Sequence, residues 1–142
     1  MNDVYRMNEG HLTLAGEGWL DCTMQVIRNT RTHASLVITR AYIAGDRTFD
    51  EELEYQWAQV SAQIENYHQM PPDIITLPLL PDCPAREITA TYLREPHTCY
   101  QRQVAVLLPE RRLLMLTCTA LNLFGKEEEI FWQQVKNTLA MD

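Results

Sequence analysis

The chain has 142 residues, the usual length of one globular domain, because two separate cores would leave each half near the lower limit for stable folding. Its composition, 46% hydrophobic and 22% charged residues, is typical of a folded protein and excludes a disordered or fibrous one. The net charge is −7 and the only lysines are Lys126 and Lys136, so we expect no basic surface for nucleic acid or anionic lipid. We therefore predict a single domain over residues 1–142.

The amino terminus lacks the charged-then-apolar layout of a signal peptide, and no lipidation cysteine follows it. The longest uncharged stretch near the end, residues 113–125, is shorter than the roughly 20 residues that a membrane-spanning helix needs. We therefore expect a cytoplasmic protein.

The first half of the chain predicts a hairpin followed by a helix. Residues 23–28 and 35–42 have the composition of strands, and a polar turn of residues 29–32 separates them. Thr48 and Glu51 have the spacing of a capping box, which starts a helix over residues 48–66. Acidic residues in its first turn suit the positive end of the helix dipole.

Prolines then interrupt the chain. Those between residues 70 and 84 exclude a helix and a central strand, which predicts an extended, looping connection at the edge of the fold.

The second half predicts a three-stranded meander and a closing helix. Three segments are rich in Thr, Val, Leu and Tyr, which predicts strands over residues 87–93, 99–108 and 113–120. Short polar segments separate them. Residues 126–139 form the second helix. The order β-β-α-β-β-β-α predicts an α+β domain with a mainly antiparallel sheet and two packed helices.

Catalytic and metal-binding patterns find little support. His97 and Cys99 form the only close His/Cys pair, and the further partners that a zinc or cysteine-nucleophile site needs are missing. The five glycines do not fall in a phosphate-binding motif. The four cysteines are widely spaced, which favours reduced thiols. We expect no enzyme activity, no metal and no cofactor.

Glutamines are the informative anomaly. Gln56 interrupts an apolar stripe of the first helix that runs through Phe49, Leu53 and Val60 to Ile64 and Tyr67. Strand alternation places Gln101 and Gln103 on the face that also carries Ala105 and Leu107. Two interpretations stay open, because a buried amide needs a partner: the glutamines bond inside the fold, or they line an apolar groove for a hydrophobic helix. Several strands are apolar on both faces, so a second copy or a client would cover one of them.

A series of short motifs, in this order and spacing, resembles the Eag (effector-associated gene) chaperones of type VI secretion, within the wider DcrB-related group. The resemblance runs nearly the full length of the chain. The motifs are Tyr5-Arg6-Met7-Asn8-Glu9-Gly10, Gly18-Trp19-Leu20-Asp21, Ser35-Leu36-Val37-Ile38-Thr39-Arg40, the spacing of Phe49, Leu53 and Gln56, Gln101-Arg102-Gln103, Leu116-Thr117-Cys118-Thr119 and a terminal helix with Trp132.

This resemblance implies a cytoplasmic, homodimeric adaptor chaperone that shields the amino-terminal transmembrane helices of a PAAR-containing effector, often an Rhs toxin, and helps to load it onto the VgrG spike. It also implies a client-binding groove formed by Val37, Ile38, Gln56 and Gln103. The alternative is an immunity or structural adaptor protein that binds a soluble partner through the same groove. A small enzyme that uses His97 or Cys99 is the remaining hypothesis.

Overall fold

A computed structural model describes residues 2–19 and 22–142 of the chain. Leu20 and Asp21, the second half of the Gly-Trp-Leu-Asp motif, lie outside the described residues. The elements are β1 (Asn2–Met7), β2 (Gly10–Ala15), β3 (Gln25–Arg28), β4 (Ser35–Tyr42), α1 (Phe49–Gln63), β5 (His68–Gln69), β6 (Asp73–Leu77), β7 (Leu80–Arg94), β8 (His97–Leu108), β9 (Arg112–Ala120) and α2 (Lys126–Thr138), with a 3₁₀ turn at Pro109–Arg111.

The strands form one large antiparallel sheet and one separate hairpin. The seven-stranded sheet has the order β3-β4-β9-β8-β7-β5, and β6 also pairs with β7. Strands β1 and β2 pair only with each other. The α+β class, the β3–β4 hairpin and the β7–β8–β9 meander confirm the prediction from the sequence.

The proline-rich segment is more ordered than the sequence indicated. Strand β6 and the first residues of β7 form a hairpin at the edge of the sheet, so the prediction of a looping connection is wrong, although its place at the edge is right. Pro81 and Pro84 are tolerated because β7 pairs with β8 only from Ala85 onward, opposite Val106. The prolines therefore lie in a two-stranded ribbon outside the main sheet.

Helix α1 begins at the predicted capping box. The Thr48 hydroxyl accepts from the backbone N–H of Glu51 at 3.1 Å, and the Glu51 carboxylate accepts from the backbone N–H of Thr48 at 2.9 Å. These bonds satisfy two of the N–H groups that a helix start leaves unpaired.

The two helices lie on opposite faces of the sheet, and each completes a core. Because paired residues on adjacent strands point to the same face, the register assigns each core to one side. The core under α1 contains Ile43, Phe49, Leu53, Trp57, Ile88, Ala105, Leu113 and Met115. The core under α2 contains Leu36, Leu77, Leu80, Ala85, Val104, Val106, Leu116, Cys118 and Trp132.

A buried charge cluster fixes α2 on the sheet. The Glu87 carboxylate, on β7, accepts from the indole N–H of Trp132 and from Lys136 Nζ, each at 2.8 Å. Arg102 Nη2, on β8, lies 3.3 Å from the same carboxylate, and the guanidinium also pairs with Glu129. Burial raises the pKa of Glu87, but the bonds from Lys136 and Trp132 and the nearby positive charges outweigh it and hold the pKa below its usual value.

We expect Glu87→Gln to lower the free energy of unfolding by about 3 kcal/mol, because it leaves the buried ammonium of Lys136 without its carboxylate and Arg102 with Glu129 alone. Since the pKa of Glu87 is lowered by folding, its contribution is present above the unfolded value, near 4.3, and is lost as the pH falls through the folded value. Urea unfolding between pH 3 and 7 measures both effects, and the variant should show the flatter pH dependence.

The matched control is Glu129→Gln, since the Glu129 side chain is 40% exposed and that of Glu87 only 10%. An equal loss of stability in the two variants would contradict the assignment of Glu87 as the anchor of α2.

Candidate functional site

Helix α1 covers only part of its face of the sheet. Beyond the helix, β3, β4, β9 and β8 present nine side chains that we call the open face, of which Arg28, paired with Ser35 and two residues from Val26 on β3, is charged. Val26 and Arg28 are exposed, and the other seven side chains are half-buried and uncharged. The open face consists of Val26, Arg28, Ser35, Val37, Thr39, Gln101, Gln103, Thr117 and Thr119.

One row of the sheet brings two of the predicted site residues close together. Val26, Val37, Thr117 and Gln103 lie opposite one another on successive strands, so their side chains point to the same face. Val37 and Gln103 are therefore separated only by Thr117. These two residues thus share one face of the sheet, at the boundary between its covered and uncovered parts.

Ile38 is not part of this row. As the next residue along β4 it points to the other face, where it packs against the core under α2. Val37 and Ile38 thus belong to opposite sides of one sheet, and within one chain they cannot line a single groove.

Gln103 bonds inside the fold. Its side-chain oxygen accepts from the indole N–H of Trp57 at 2.7 Å, and its Nε2 donates to the Thr117 hydroxyl at 2.8 Å. The amide thus links α1 to two strands of the sheet. Of the two interpretations left open by the sequence, internal bonding describes Gln103 in this structure.

Gln56 lies on a flank of α1. The inner face of the helix centres on Leu53 and Trp57, whereas Val60 is 37% exposed. The predicted apolar stripe through Gln56 and Val60 is therefore not the face that packs on the sheet. The indole of Trp57 turns the helix this way by reaching into the sheet. Gln56 Nε2 donates to the Glu52 carboxylate at 2.9 Å.

The flank of α1 opposite Gln56 carries Asp50, which pairs with Arg86 of β7 at 2.9 Å. Because β4 lies on the other side of β8 and β9 from β7, the flank that carries Gln56 faces β4. Gln56 therefore lies at the helix border of the open face, not in its floor.

Gln101 is the side chain whose geometry best suits a ligand. It lies on the same face of β8 as Gln103 and is half-buried, yet within residues 2–19 and 22–142 its amide has no hydrogen-bond partner. Among the described residues Arg102 Nε is the buried side-chain polar atom without a partner, so the Gln101 amide is open to solvent and can exchange water for a bound polar group. The alternation of side chains along β8 predicted the face on which Gln101 lies. Only the tertiary structure shows that Gln103 has hydrogen-bond partners inside the fold, which sets it apart from Gln101.

Two buried cysteines of the sheet, Cys99 and Cys118, are poorly suited to nucleophilic chemistry, and Cys118 packs in the core under α2, on the side opposite the open face. Burial raises the pKa of the Cys118 thiol to about 11, which disfavours the reactive thiolate. Burial also raises the pKa of Tyr92, and Cys99 adds to the increase while a hydrogen bond with Thr119 opposes it. Cys99 itself is buried, whereas His97 is exposed.

In the part of the chain that the structure describes, no three His, Cys, Asp or Glu side chains are grouped so that they could hold a metal ion. Among the same residues, neither helix has the length and apolar character to cross a membrane. All four cysteines are free.

We expect Gln103→Leu to lower the free energy of unfolding by about 1–3 kcal/mol, because the Trp57 indole and the Thr117 hydroxyl lose their partner. Gln101→Leu is the matched control, with the same change on the same strand and face but no bond to lose. Thermal and urea unfolding of both variants measure the difference. Equal stability of the two variants would contradict an internal role for Gln103.

Solved structures with a similar fold include the following two. PA94 of Pseudomonas aeruginosa, a protein of unknown function, superposes with a TM-score of 0.76 at 21% identity, over 99% of this chain and 97% of that one. LpqN of Mycobacterium tuberculosis, which is involved in cell envelope biogenesis, gives a TM-score of 0.53 at 14% identity, over 75% of this chain and 59% of that one. At these identities the similarity concerns the fold alone.

The sequence itself has no match among the curated proteins. It does match a family model, and the match extends from the second strand to the end of α2. Since the DcrB model covers residues 9–138, the chain belongs to the DcrB family.

Proposed function

We propose that this protein is an adaptor chaperone of type VI secretion that holds the amino-terminal transmembrane helices of a PAAR-containing effector, of Rhs type in some systems, until the effector is loaded on the VgrG spike. It acts in the cytoplasm, as a homodimer, and it binds its client without catalysing a reaction. The open face is the client-binding surface.

The observation that carries this proposal is the lack of charge in the half-buried part of the open face, whose seven side chains are Val37, hydroxyl residues and glutamines. The charged Arg28 lies at the β3 edge, where its side chain is exposed. A hydrophobic helix tolerates the half-buried part, because no ion there has to be desolvated without a partner. The methyl groups of Val37 and of the threonines supply apolar contact.

Polar groups on the open face match what such a client presents. Transmembrane helices pack closely through Ser, Thr and small residues, and hydrogen bonds between their side chains add about 1–2 kcal/mol each. The amide of Gln101 has no partner among residues 2–19 and 22–142 and offers donors and an acceptor to such a helix. The amide of Gln103 is already bonded, so its role is to hold α1 beside the client.

A second candidate function also has support. Seven of the nine open-face side chains are polar or charged, namely Arg28, Ser35, Thr39, Gln101, Gln103, Thr117 and Thr119. A surface of this composition also suits a soluble partner, as in an immunity or structural adaptor protein. The two candidates differ in whether the partner aggregates without this protein.

We expect Val37→Asp to abolish capture of the client, because the carboxylate would lie unpaired against a hydrophobic helix. Gln101→Leu should weaken capture roughly five- to thirtyfold and leave the stability of the free protein unchanged, since about 1–2 kcal/mol of hydrogen bonding to the client is lost. Coexpression with the amino-terminal region of the effector encoded beside this protein, followed by copurification and thermal unfolding, measures both.

The matched control for Val37→Asp is Ile130→Asp, which places the same charge at an exposed apolar residue of α2, on the other side of the sheet. It should leave capture intact. An effector segment that is equally soluble without this protein would favour the soluble-partner alternative. Normal capture by folded Val37→Asp protein would exclude the open face as the binding surface.

A further inference from the structure

Strand β4 is paired along only half of its length on the side of β3. It runs from Ser35 to Tyr42, but β3 pairs only with residues 35–38. Residues 39–42 pair with β9 on one side and, within the described chain, with no strand on the other. We call this unpaired side of residues 39–42 the half-edge.

The backbone of the half-edge has polar groups that point away from the sheet. At the β3–β4 turn the Asn29 N–H donates to the Ala34 carbonyl at 2.9 Å, so the backbone groups of Ala34 face β3. This direction alternates along a strand, and the regular register of β4 extends it to every second residue from Ala34 onward. Arg40 and Tyr42 therefore direct their N–H and C=O groups outward, where a further strand would pair with them.

The chain's own preceding segment does not fill the half-edge. A longer β3 would place residues 22–24 beside it, but the pairing begins only at Gln25, opposite Ile38. The Tyr5 hydroxyl bonds the Thr23 hydroxyl at 2.8 Å and so ties this segment to the amino-terminal hairpin. The half-edge is therefore left to another strand.

A cavity of about 480 Å³ lies beside the half-edge. The register pairs Tyr42 with Arg112 and Arg40 with Leu114, so these four side chains point to one face of the sheet, that of α2. All four line the cavity, together with the apolar Leu108. Among the described residues no acidic side chain contributes to its lining.

The two arginines of the cavity have no carboxylate beside them. Arg40 donates to the Gln25 amide oxygen at 2.7 Å, and Arg112 Nε donates to the Pro109 carbonyl at 3.0 Å, so both acceptors are neutral. Within residues 2–19 and 22–142 neither guanidinium is in an ion pair, whereas Arg86, for example, pairs with a carboxylate. Each guanidinium keeps N–H donors that suit an anion.

We propose that the half-edge binds an extended acidic segment of a partner protein, which joins the sheet as an antiparallel strand beside β4. The residues of that segment opposite Arg40 and Tyr42 exchange backbone hydrogen bonds with them, and their side chains point to the face of the two arginines. The residue between them lies opposite Ala41 and points to the other face, which Leu113 shares. The recognised pattern is therefore acidic, apolar, acidic, as in Glu-Val-Glu.

Other anions fit the half-edge less well than a peptide strand does. A free carboxylate or phosphate would meet the arginines but leave the outward backbone groups of the half-edge unpaired. Nucleic acids and anionic membranes are extended arrays of negative charge, which the net charge of −7 repels. A peptide supplies both contacts, since its carboxylates accept paired hydrogen bonds from guanidinium groups and its backbone continues the sheet.

This inference goes beyond the proposed function. The arginines of the half-edge point to the α2 face, opposite the open face. Its test uses a peptide and no effector helix, so failure of the half-edge and failure of the client proposal are distinguishable.

Titration of the full-length protein with the blocked peptide Thr-Glu-Val-Glu-Thr tests the proposal. We expect binding that shifts the backbone amide NMR signals of Arg40 and Tyr42. Arg40→Gln and Arg112→Gln should each weaken it about fivefold, the effect of losing one ion pair at a surface. Arg94→Gln, at an exposed arginine at the end of β7, should bind as the wild type does. Circular dichroism melts show whether each variant is folded.

Methylated peptides separate strand pairing from anion binding. A methyl group on the nitrogen of either glutamate removes an N–H that faces β4 and should remove most of the binding. The matched control carries the methyl group on the valine nitrogen, which faces away from β4. Equal binding of the methylated peptides would indicate an anion site only and overturn the proposal. It is also overturned if the wild type does not bind, if both arginine variants bind normally, or if Thr-Lys-Val-Lys-Thr binds equally well.

Discussion

The architecture depends on a central sheet that is apolar on both faces. Strands β8 and β9 alternate between two cores, so each face must be covered, and the chain supplies one helix for each. The helices are fixed in different ways. Helix α2 is held by the ion cluster around Glu87, and α1 by the amide of Gln103. In both cases a polar side chain of the sheet accepts a hydrogen bond from the indole of a helix tryptophan. This directional bond restricts the position of the helix more than apolar contact alone.

The open face follows from the orientation of α1. The helix crosses the sheet where Leu113, Met115 and Ile88 pack beneath it, and the rows from β3 to β8 beyond Trp57 stay half-exposed. Gln103 lies where the covered part ends, with its bonds directed to Trp57 and Thr117. A bound helix on the open face would lie against α1 and extend the layer that α1 begins.

The two edges of the sheet differ in their protection against pairing with another chain. Prolines flank β6, with Pro71 and Pro72 before it and Pro78 after it, and proline is a common means of preventing an edge strand from pairing with another chain. Strand β3 has no such protection and exposes Val26 and Ile27. The β3 edge is therefore the side of the sheet that is open to pairing with another strand.

The sequence by itself determined the elements that depend on local chemistry: the capping box at Thr48, the β3–β4 hairpin, the meander and the face on which Gln101 and Gln103 lie. These follow from side-chain spacing within one segment, as does membership of the DcrB family from the order of the motifs. Only the tertiary structure decided that the helices cover opposite faces, that Ile38 packs away from Val37, and that Gln103 is bonded while Gln101 is free. The physical reason is that a hydrogen-bond partner such as Trp57 lies 46 residues from Gln103 in the chain and reaches it only when α1 packs on β8.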